Sequence, residues 1–250
     1  MKAVFLCAGY GTRLYPLTEH RPKPLLSIAG EALLSHLVAK LDPIPEMDRV
    51  ILVSNARFYD HFCKWKAETR LKKKVVVLND GTESPETRLG AIGDLKLAIQ
   101  KEKLHDDLLV IAGDNLFDSG FTPFITYALS KKPAACLSVY NVGDLNLAKK
   151  YGLVRTDSTG KIIEFLEKPA HPPTTLASMG FYFLPEETLT LVDQFLETNR
   201  NPDAPGFYMA WLSKQIDVFA YQYQGTWFDI GDLESYEKAD QFYTKYLNQK

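Results

Sequence analysis

Cysteine is scarce. The 250 residues contain Cys7, Cys63 and Cys136, with no two close in sequence. An odd number without short spacings offers neither a disulfide framework nor a zinc-ligand pattern, and it suits a reducing cytoplasm. Long apolar runs are also missing. None approaches the roughly 20 residues of a membrane helix, and the apolar start at residues 3–8 breaks at Gly9, too short for a signal-peptide core. No basic surplus exists, since the formal net charge is -2. Proteins that grip nucleic acid by its phosphates usually carry one, so nucleic acid is not expected as the main partner. A local basic cluster around a small phosphate ligand remains compatible. Repeats, low-complexity tracts and linkers are absent too. What is present is an ordinary globular composition, 46% hydrophobic and 24% charged, in a chain long enough for a large buried core.

Apolar periodicity predicts strands at residues 3–7, 50–53, 75–78 and 108–112. Helices are expected between them at 31–41, 58–71 and 89–100, the first with Leu33, Leu34, Leu37, Val38 and Leu41 on one face. Such alternation implies an α/β fold, a Rossmann-like three-layer arrangement with a mixed, mostly parallel sheet and helices on both faces. After Asp114 the rhythm changes. A helix is expected at 121–130 and a strand at 134–140. Runs at 152–155 and 161–165 flank Asp157-Ser158-Thr159-Gly160 and read as a hairpin. A strand at 177–184, helices at 186–196 and 208–214, a strand at 217–221 and a helix at 233–247 complete the chain. We expect a single domain over 1–250. The final helix carries Tyr236, Phe242, Tyr243, Tyr246 and Leu247, a face suited to internal packing or to a homo-oligomer.

The first strand runs into Gly9-Tyr10-Gly11-Thr12-Arg13-Leu14. Two glycines after a strand let backbone N–H groups approach an anion, and Arg13 adds charge. Lys23 stands between Pro22 and Pro24, which stiffen its backbone. Gly-x-Gly alone is equally a surface turn. A Walker loop is absent. A dinucleotide fingerprint is disfavoured, because Leu14 holds the place of its third glycine and three prolines extend the loop.

Three further stretches carry candidate chemistry. Asp114, in Gly113-Asp114-Asn115, sits where a central strand ends; a carboxylate there suits a phosphate-bound cation, or merely begins a turn. Asp229, in Trp227-Phe228-Asp229-Ile230-Gly231, is a second such carboxylate. Glu167-Lys168-Pro169 closes the hairpin. Adjacent strand residues face opposite ways, so both serve one ligand only if the strand ends or bends there.

The string GYGTRLYPLTEHRPKPLL closely resembles the signature of the sugar-phosphate nucleotidyltransferases, also called nucleotide-sugar pyrophosphorylases. The match covers Gly9, Gly11, Thr12, Arg13, Leu14, Pro16, Leu17, Thr18 and the Pro22-Lys23-Pro24-Leu25 segment. Further family-like motifs extend the resemblance from Ala3 to Tyr236. It implies the nucleotide-diphospho-sugar transferase fold and transfer of a nucleotidyl group from a nucleoside triphosphate to a sugar 1-phosphate. The glucose-type branch, with dTTP or UTP, is the leading expectation. Mannose 1-phosphate with GTP, or transfer to another phosphate monoester, is the alternative.

By this resemblance Ala8, Gly9, Gly11, Thr12, Arg13 and Lys23 hold the nucleotide, with Arg13 and the loop amides on its β- and γ-phosphates. Arg13, Lys23 and Asp114 carry catalysis, and Asp114 and Asp229 bind Mg²⁺. Asp232 stands where the family commonly has Thr or Ser, and is expected to cap the last helix. Gly152, Glu167, Lys168, Gly180 and Tyr182 face the sugar phosphate, the glycine at 152 letting the sugar approach the backbone. Asn79 and Gly90 meet the base, while residues 82–88 form an inserted polar loop and Gly93-Asp94 departs from the usual helix start. A non-catalytic subunit of the same fold would be expected to lack Arg13, Lys23 or a metal aspartate; all are present. The chain stops soon after its last helix, so no C-terminal β-helix domain and no acetyltransferase activity are expected. Cytoplasmic localisation and no membrane association complete the expectations.

Overall fold

Lys-Ala-Val-Phe-Leu is short and apolar, and forms β1 (Lys2–Leu6). Ala3, Val4 and Phe5 are fully buried, because this strand lies mid-sheet with helices on both faces. The computed structural model describes residues 1–70, 72–198 and 201–248. After β1 come β2 (Ser27–Ile28), β3 (Glu31–Ala32), α1 (Leu33–Ala39), β4 (Arg49–Ser54), α2 (Tyr59–Glu68), β5 (Lys74–Asn79), α3 (Ala91–Glu102) and β6 (Leu108–Ala112). The second half holds β7 (Asn115–Phe117), α4 (Thr122–Ser130), β8 (Ala135–Asn141), α5 (Leu145–Ala148), β9 (Gly152–Thr156), β10 (Ile162–Glu167) and β11 (Leu176–Leu184). It ends with α6 (Thr190–Glu197), α7 (Pro205–Leu212), β12 (Val218–Gln222), β13 (Trp227–Asp229) and α8 (Leu233–Asn248).

Nine strands form one sheet in the order β10-β9-β11-β6-β1-β4-β5, with β8 also on β11 and β12 on β8. Only β10 and β11 run against the others. The mostly parallel α/β expectation therefore holds. Alternation along the strands divides the core. Phe5, Leu52 and Ile111 pack on one face with Phe62, Phe117 and Phe181. Val4, Ile51 and Val110 pack on the other with Leu95, Phe195 and Tyr208.

Predicted elements recur within a few residues of their expected limits. The helix expected from 31 begins at Leu33, since Glu31–Ala32 first pairs with Ser27–Ile28. The helix expected over 58–71 spans Tyr59–Glu68, and Leu71 lies outside the described residues. The helix expected from 186 opens as a 3-10 turn, Glu186–Thr188. One unforeseen element matters most. Trp227–Asp229 pairs antiparallel with Asn115–Phe117, outside the main sheet.

The aromatic face of α8 packs on its own chain. Tyr243 is 2% exposed and donates its hydroxyl to the Phe117 carbonyl, Tyr236 donates to Ser27 O at 2.8 Å, and Phe242 lies against Phe228. Leu233 and Leu247 remain exposed. Among the described residues no helix is long and apolar enough to cross a membrane, and no cysteine is paired.

Candidate active site

β1 and β6 are adjacent and parallel, so their carboxyl ends deliver residues 7–14 and Gly113-Asp114 to the same rim. Gly11 begins a 3-10 turn, Thr12–Leu14, in the left-handed region at φ 64°. Thr18 locks it by donating Oγ1 to Gly11 O at 2.7 Å. Gly113 has a different reason to be glycine. A Cβ there would stand 2.6 Å from Cys7 Sγ and 3.0 Å from Pro24 Cγ. Its absence lets the Pro22–Pro24 segment close on the strand ends. The 3-10 turn Lys23–Leu25 then brings Lys23 Nζ to 3.0 Å from Asp114 Oδ2.

The β7/β13 ribbon carries the second carboxylate. Asp229 pairs in register with Asn115, and Ile230 N donates to Asp114 O at 2.9 Å. Asn115 fixes the arrangement from within. Its Nδ2 donates to Asp114 Oδ1 at 3.2 Å, while its Oδ1 accepts from Trp227 Nε1 at 2.8 Å. Gly180, at φ 76°, makes room, since a Cβ there would come within 2.8 Å of Asn115 Nδ2. Burial, and next the charge of Asp114, push the Asp229 carboxyl up to about 6, against the pull of Lys23, Arg13 and Lys168. Two carboxylates and three cations thus act on one point.

That point joins two clefts. One, of about 220 Å³, is bordered by Ala8, Gly9, Gly11, Lys23, Gly90 and Asp114. The other, of about 830 Å³, is bordered by Asp114, Asp229, Arg13, Glu167, Lys168 and Tyr182, among others. Asp114 faces both. Arg13 borders the larger cleft rather than the smaller one, and Thr12 is exposed and borders neither.

Glu167 and Lys168 both reach the larger cleft because Lys168 has a left-handed backbone, φ 46°, that turns the chain at the strand end. The Glu167 carboxyl sits between two glycines. A Cβ on Gly152 would lie 2.7 Å from Glu167 Oε2, and one on Gly206 would lie 1.7 Å from it. Gly152 therefore makes space for Glu167, which is a different reason from the approach of a sugar. Burial raises the Glu167 pKa, and Lys168 opposes this. Tyr182 is 5% exposed and belongs to the core as well as to the cleft wall. Asp232 caps α8, with Oδ1 accepting from Ser235 N at 2.8 Å.

The residues expected to meet the base differ more from that expectation. Asn79 is exposed and outside the smaller cleft, and its side-chain oxygen accepts from Gly81 N at 2.8 Å. Gly90 borders the cleft, but the chain itself covers the open side of its Cα. A Cβ there would lie 2.8 Å from the Pro202 carbonyl carbon, and Ile92 N donates to Pro202 O at 3.0 Å. Arg88 of the polar loop bonds Asp203 across the cleft mouth, Nε to Oδ1 at 2.7 Å. Asp94 borders this cleft and is 5% exposed. Asn115, Gly206, Arg88, Asp203 and Asp94 were not among the expected site residues. The Gly113-Asp114-Asn115 motif, the unusual Gly93-Asp94 pair and the polar loop were the only signals.

Solved structures share this fold. The crystal structure of a UDP-glucose pyrophosphorylase complexed with UDP-glucose aligns at TM-score 0.82 over 98% of each chain, with 21% identity. A Sulfolobus acidocaldarius protein named as a mannose-1-phosphate guanyltransferase is 31% identical over 243 residues, 96% of this chain and 62% of its own length. The bifunctional protein GlmU of Methanocaldococcus jannaschii is 29% identical over 92% of this chain and 51% of its own. The chain thus spans about half to three fifths of these relatives. A UTP–glucose-1-phosphate uridylyltransferase of Haloferax volcanii is 26% identical, with 96% of both chains covered. The family model described as nucleotidyl transferase matches residues 2–246, essentially the whole chain, and with the loop, the paired aspartates and the two joined clefts in place, the chain belongs to the nucleotidyl transferase family.

Proposed function

We propose that this chain is a single catalytic domain that transfers a nucleotidyl group from a nucleoside triphosphate to a sugar 1-phosphate, releasing pyrophosphate. The observation that carries this reading is the meeting of the two clefts at Asp114, with Lys23 on one side and Asp229 on the other. The smaller cleft, beside the glycine loop, takes the nucleotide. The larger takes the sugar phosphate, with Glu167 for hydroxyls and Lys168 for the phosphate. Transfer of this kind depends on alignment and charge neutralisation more than on covalent help from the protein. Lys23 neutralises charge developing at the α-phosphate. Arg13, beside Gly231 in the larger cleft, meets the phosphates where the clefts join.

The residues fit a magnesium ion. Burial, and after it the charge of Asp114, raise Asp229. No cluster of three metal-ligating side chains exists among the described residues, so Asp114 and Asp229 would hold the ion together with substrate phosphates and water, a ligand mix usual for Mg²⁺. When bound, the ion would offset the charge of the two approaching phosphates. The free cysteines suit a cytoplasmic enzyme.

Glucose 1-phosphate with UTP or dTTP is the leading substrate pair, supported by the uridylyltransferase that matches over nearly its full length. Mannose 1-phosphate with GTP is second, supported by the guanyltransferase likeness. Pyrophosphate release across a panel of triphosphates and sugar 1-phosphates tests the reading. Release with no pair would sink it.

Two consequences follow at once. Gly206→Ala should expel the Glu167 carboxyl from its seat. Sugar-phosphate KM should then rise by about tenfold or more with little change in nucleotide KM, because uniform binding is lost on one side only. Initial-rate kinetics in each substrate would show this, and equal rises in both would contradict it. Asp229→Asn should disable turnover yet stabilise the metal-free protein. The folded-state pKa lies above the unfolded value of 3.8, at about 6, so the native state holds a proton that the unfolded chain releases. Stability contributed by this group therefore falls as pH rises between those values, and the penalty is complete above them. The variant should melt higher than wild type at pH about 7.5, with the gap closing toward pH about 4. A lower melting point for the variant at every pH would refute the charge argument.

A further inference from the structure

β1 and β4 run parallel, with Leu6 beside Val53. Carried two residues further, this register sets Asn55 beside Ala8 of the glycine loop. Asn55 follows the end of β4 and is fully buried. A buried amide must satisfy both its oxygen and its nitrogen. Its Oδ1 accepts from Phe58 N at 3.0 Å and so caps the 3-10 turn Ala56–Phe58. Its Nδ2 donates to the Ala8 carbonyl at 2.8 Å. The cap does not need this second bond, which reaches across to another strand end.

The consequence of that bond is directional. The Ala8–Gly9 peptide is trans. In a planar trans peptide the C=O and the N–H point opposite ways. With the Ala8 oxygen held toward Asn55, the Gly9 N–H points away from it. Asn55 borders neither cleft, whereas Ala8 and Gly9 border the smaller one and Gly9 is exposed. Among the described residues the Gly9 N–H meets no acceptor. It is fixed on a rim that Lys23 also borders, and backbone N–H groups turned outward in this way bind anions. Turning the peptide over would strand the buried Asn55 donor at its full desolvation cost, and would aim a carbonyl at the phosphates instead.

We propose that Asn55 is a positioning residue for the nucleotide: by holding the Ala8 carbonyl inward it aims the Gly9 N–H at a phosphate oxygen of the triphosphate. The inference rests on the nucleotidyl-transfer reading and adds to its nucleotide site a residue that lies outside both clefts. The group so aimed is a backbone N–H that meets phosphate. Asn55 therefore strengthens the binding of every triphosphate alike and has no part in the choice of base.

The test is equilibrium binding of UTP, dTTP, GTP and inorganic tripolyphosphate, each with Mg²⁺, to the wild-type protein, Asn55→Ser and Asn55→Ala. If the wild type bound none of them, the nucleotidyl-transfer reading would fall and this inference with it. Serine keeps an oxygen that can cap the turn but is too short to donate to Ala8, and alanine keeps neither bond. Both variants should bind the triphosphates and tripolyphosphate about tenfold more weakly, with the order of base preference unchanged. In turnover the nucleotide KM should rise, while the KM for glucose 1-phosphate or mannose 1-phosphate, whichever the wild type uses, stays within about twofold. A capping role alone would let Asn55→Ser bind tripolyphosphate as the wild type does. That result, or an equal rise in both KM values, would overturn the assignment while leaving the transfer reading intact. Should neither variant fold, NMR of the wild type decides. The Asn55 side-chain amide should be protected from exchange in the free protein, and the Gly9 amide proton should move downfield when tripolyphosphate is added. A freely exchanging Asn55 amide, or an unmoved Gly9 proton, would overturn the proposal.

Discussion

Asp114→Ala is expected to lower kcat by about a hundredfold to a thousandfold, the scale seen when a preorganised charge-stabilising group is removed. The reason lies in its position. Asp114 borders both clefts, contacts Lys23 at 3.0 Å and accepts from Asn115. Its removal takes away half of the carboxylate pair that Mg²⁺ would use, and leaves the Lys23 ammonium unheld. The fold should survive. The Asp114 side chain is 33% exposed, and its backbone carbonyl still receives Ile230 N. The loss of one ion pair is partly offset because Asp229 no longer faces a second negative charge. Pyrophosphate-release kinetics at saturating Mg²⁺, with circular dichroism and a melting curve, would measure both halves. Turnover within about tenfold of wild type would remove Asp114 from the metal site and leave the geometry without its central group.

Lys23→Ala carries the second large effect. Lys23 is 11% exposed, confined by prolines on both sides, and pinned at the junction of the clefts. A cation held in a low-dielectric site before the reaction starts is worth more than the same cation in water. The expected loss is about a hundredfold to ten-thousandfold in kcat, with a smaller change in nucleotide KM. Lys23→Met serves as the packing control, since it keeps most of the aliphatic stem. If both variants raised KM alone, Lys23 would bind the ground state and have no part in the transition state. If methionine restored kcat, the role would be packing rather than charge.

The two predictions differ in how early their residues could be found. Lys23 is visible in the sequence because the Pro22-Lys23-Pro24 segment is local. Asp114 is visible because a strand that ends in Gly-Asp-Asn places its carboxylate at the sheet rim. Strand and helix positions were legible for the same reason: β1, β4 and β6 are continuous apolar runs buried on both faces, and β5 is an apolar run at the sheet edge, which periodicity reports directly. The order of the nine strands, and the reversal of β11 against β6, depend on pairings between distant residues. No local pattern encodes them.

Within the site, the glycines show the limit most clearly. Their presence is written in the chain, but their reasons are not. Gly152 makes room for the Glu167 carboxyl, Gly180 for the Asn115 amide and Gly90 for the Pro202 backbone. Each reason is a through-space contact between residues far apart in sequence. The left-handed turn at Lys168, which lets neighbouring side chains share one cleft, was likewise only a condition that the Glu-Lys-Pro motif had to meet.

By itself, the sequence determined the fold class, and it offered the glycine loop with its basic residues and the two aspartates as separate candidates. These rest on local spacing and periodicity, which a linear string carries in full. Only the tertiary structure decided that Asp114 and Asp229 share one point, that Arg13 faces the larger cleft, and that Asp94 rather than Asn79 borders the smaller cleft. Those facts follow from the β7/β13 ribbon and from the closure of loops over the strand ends. Burial and charge repulsion act between groups that the chain brings together only on folding.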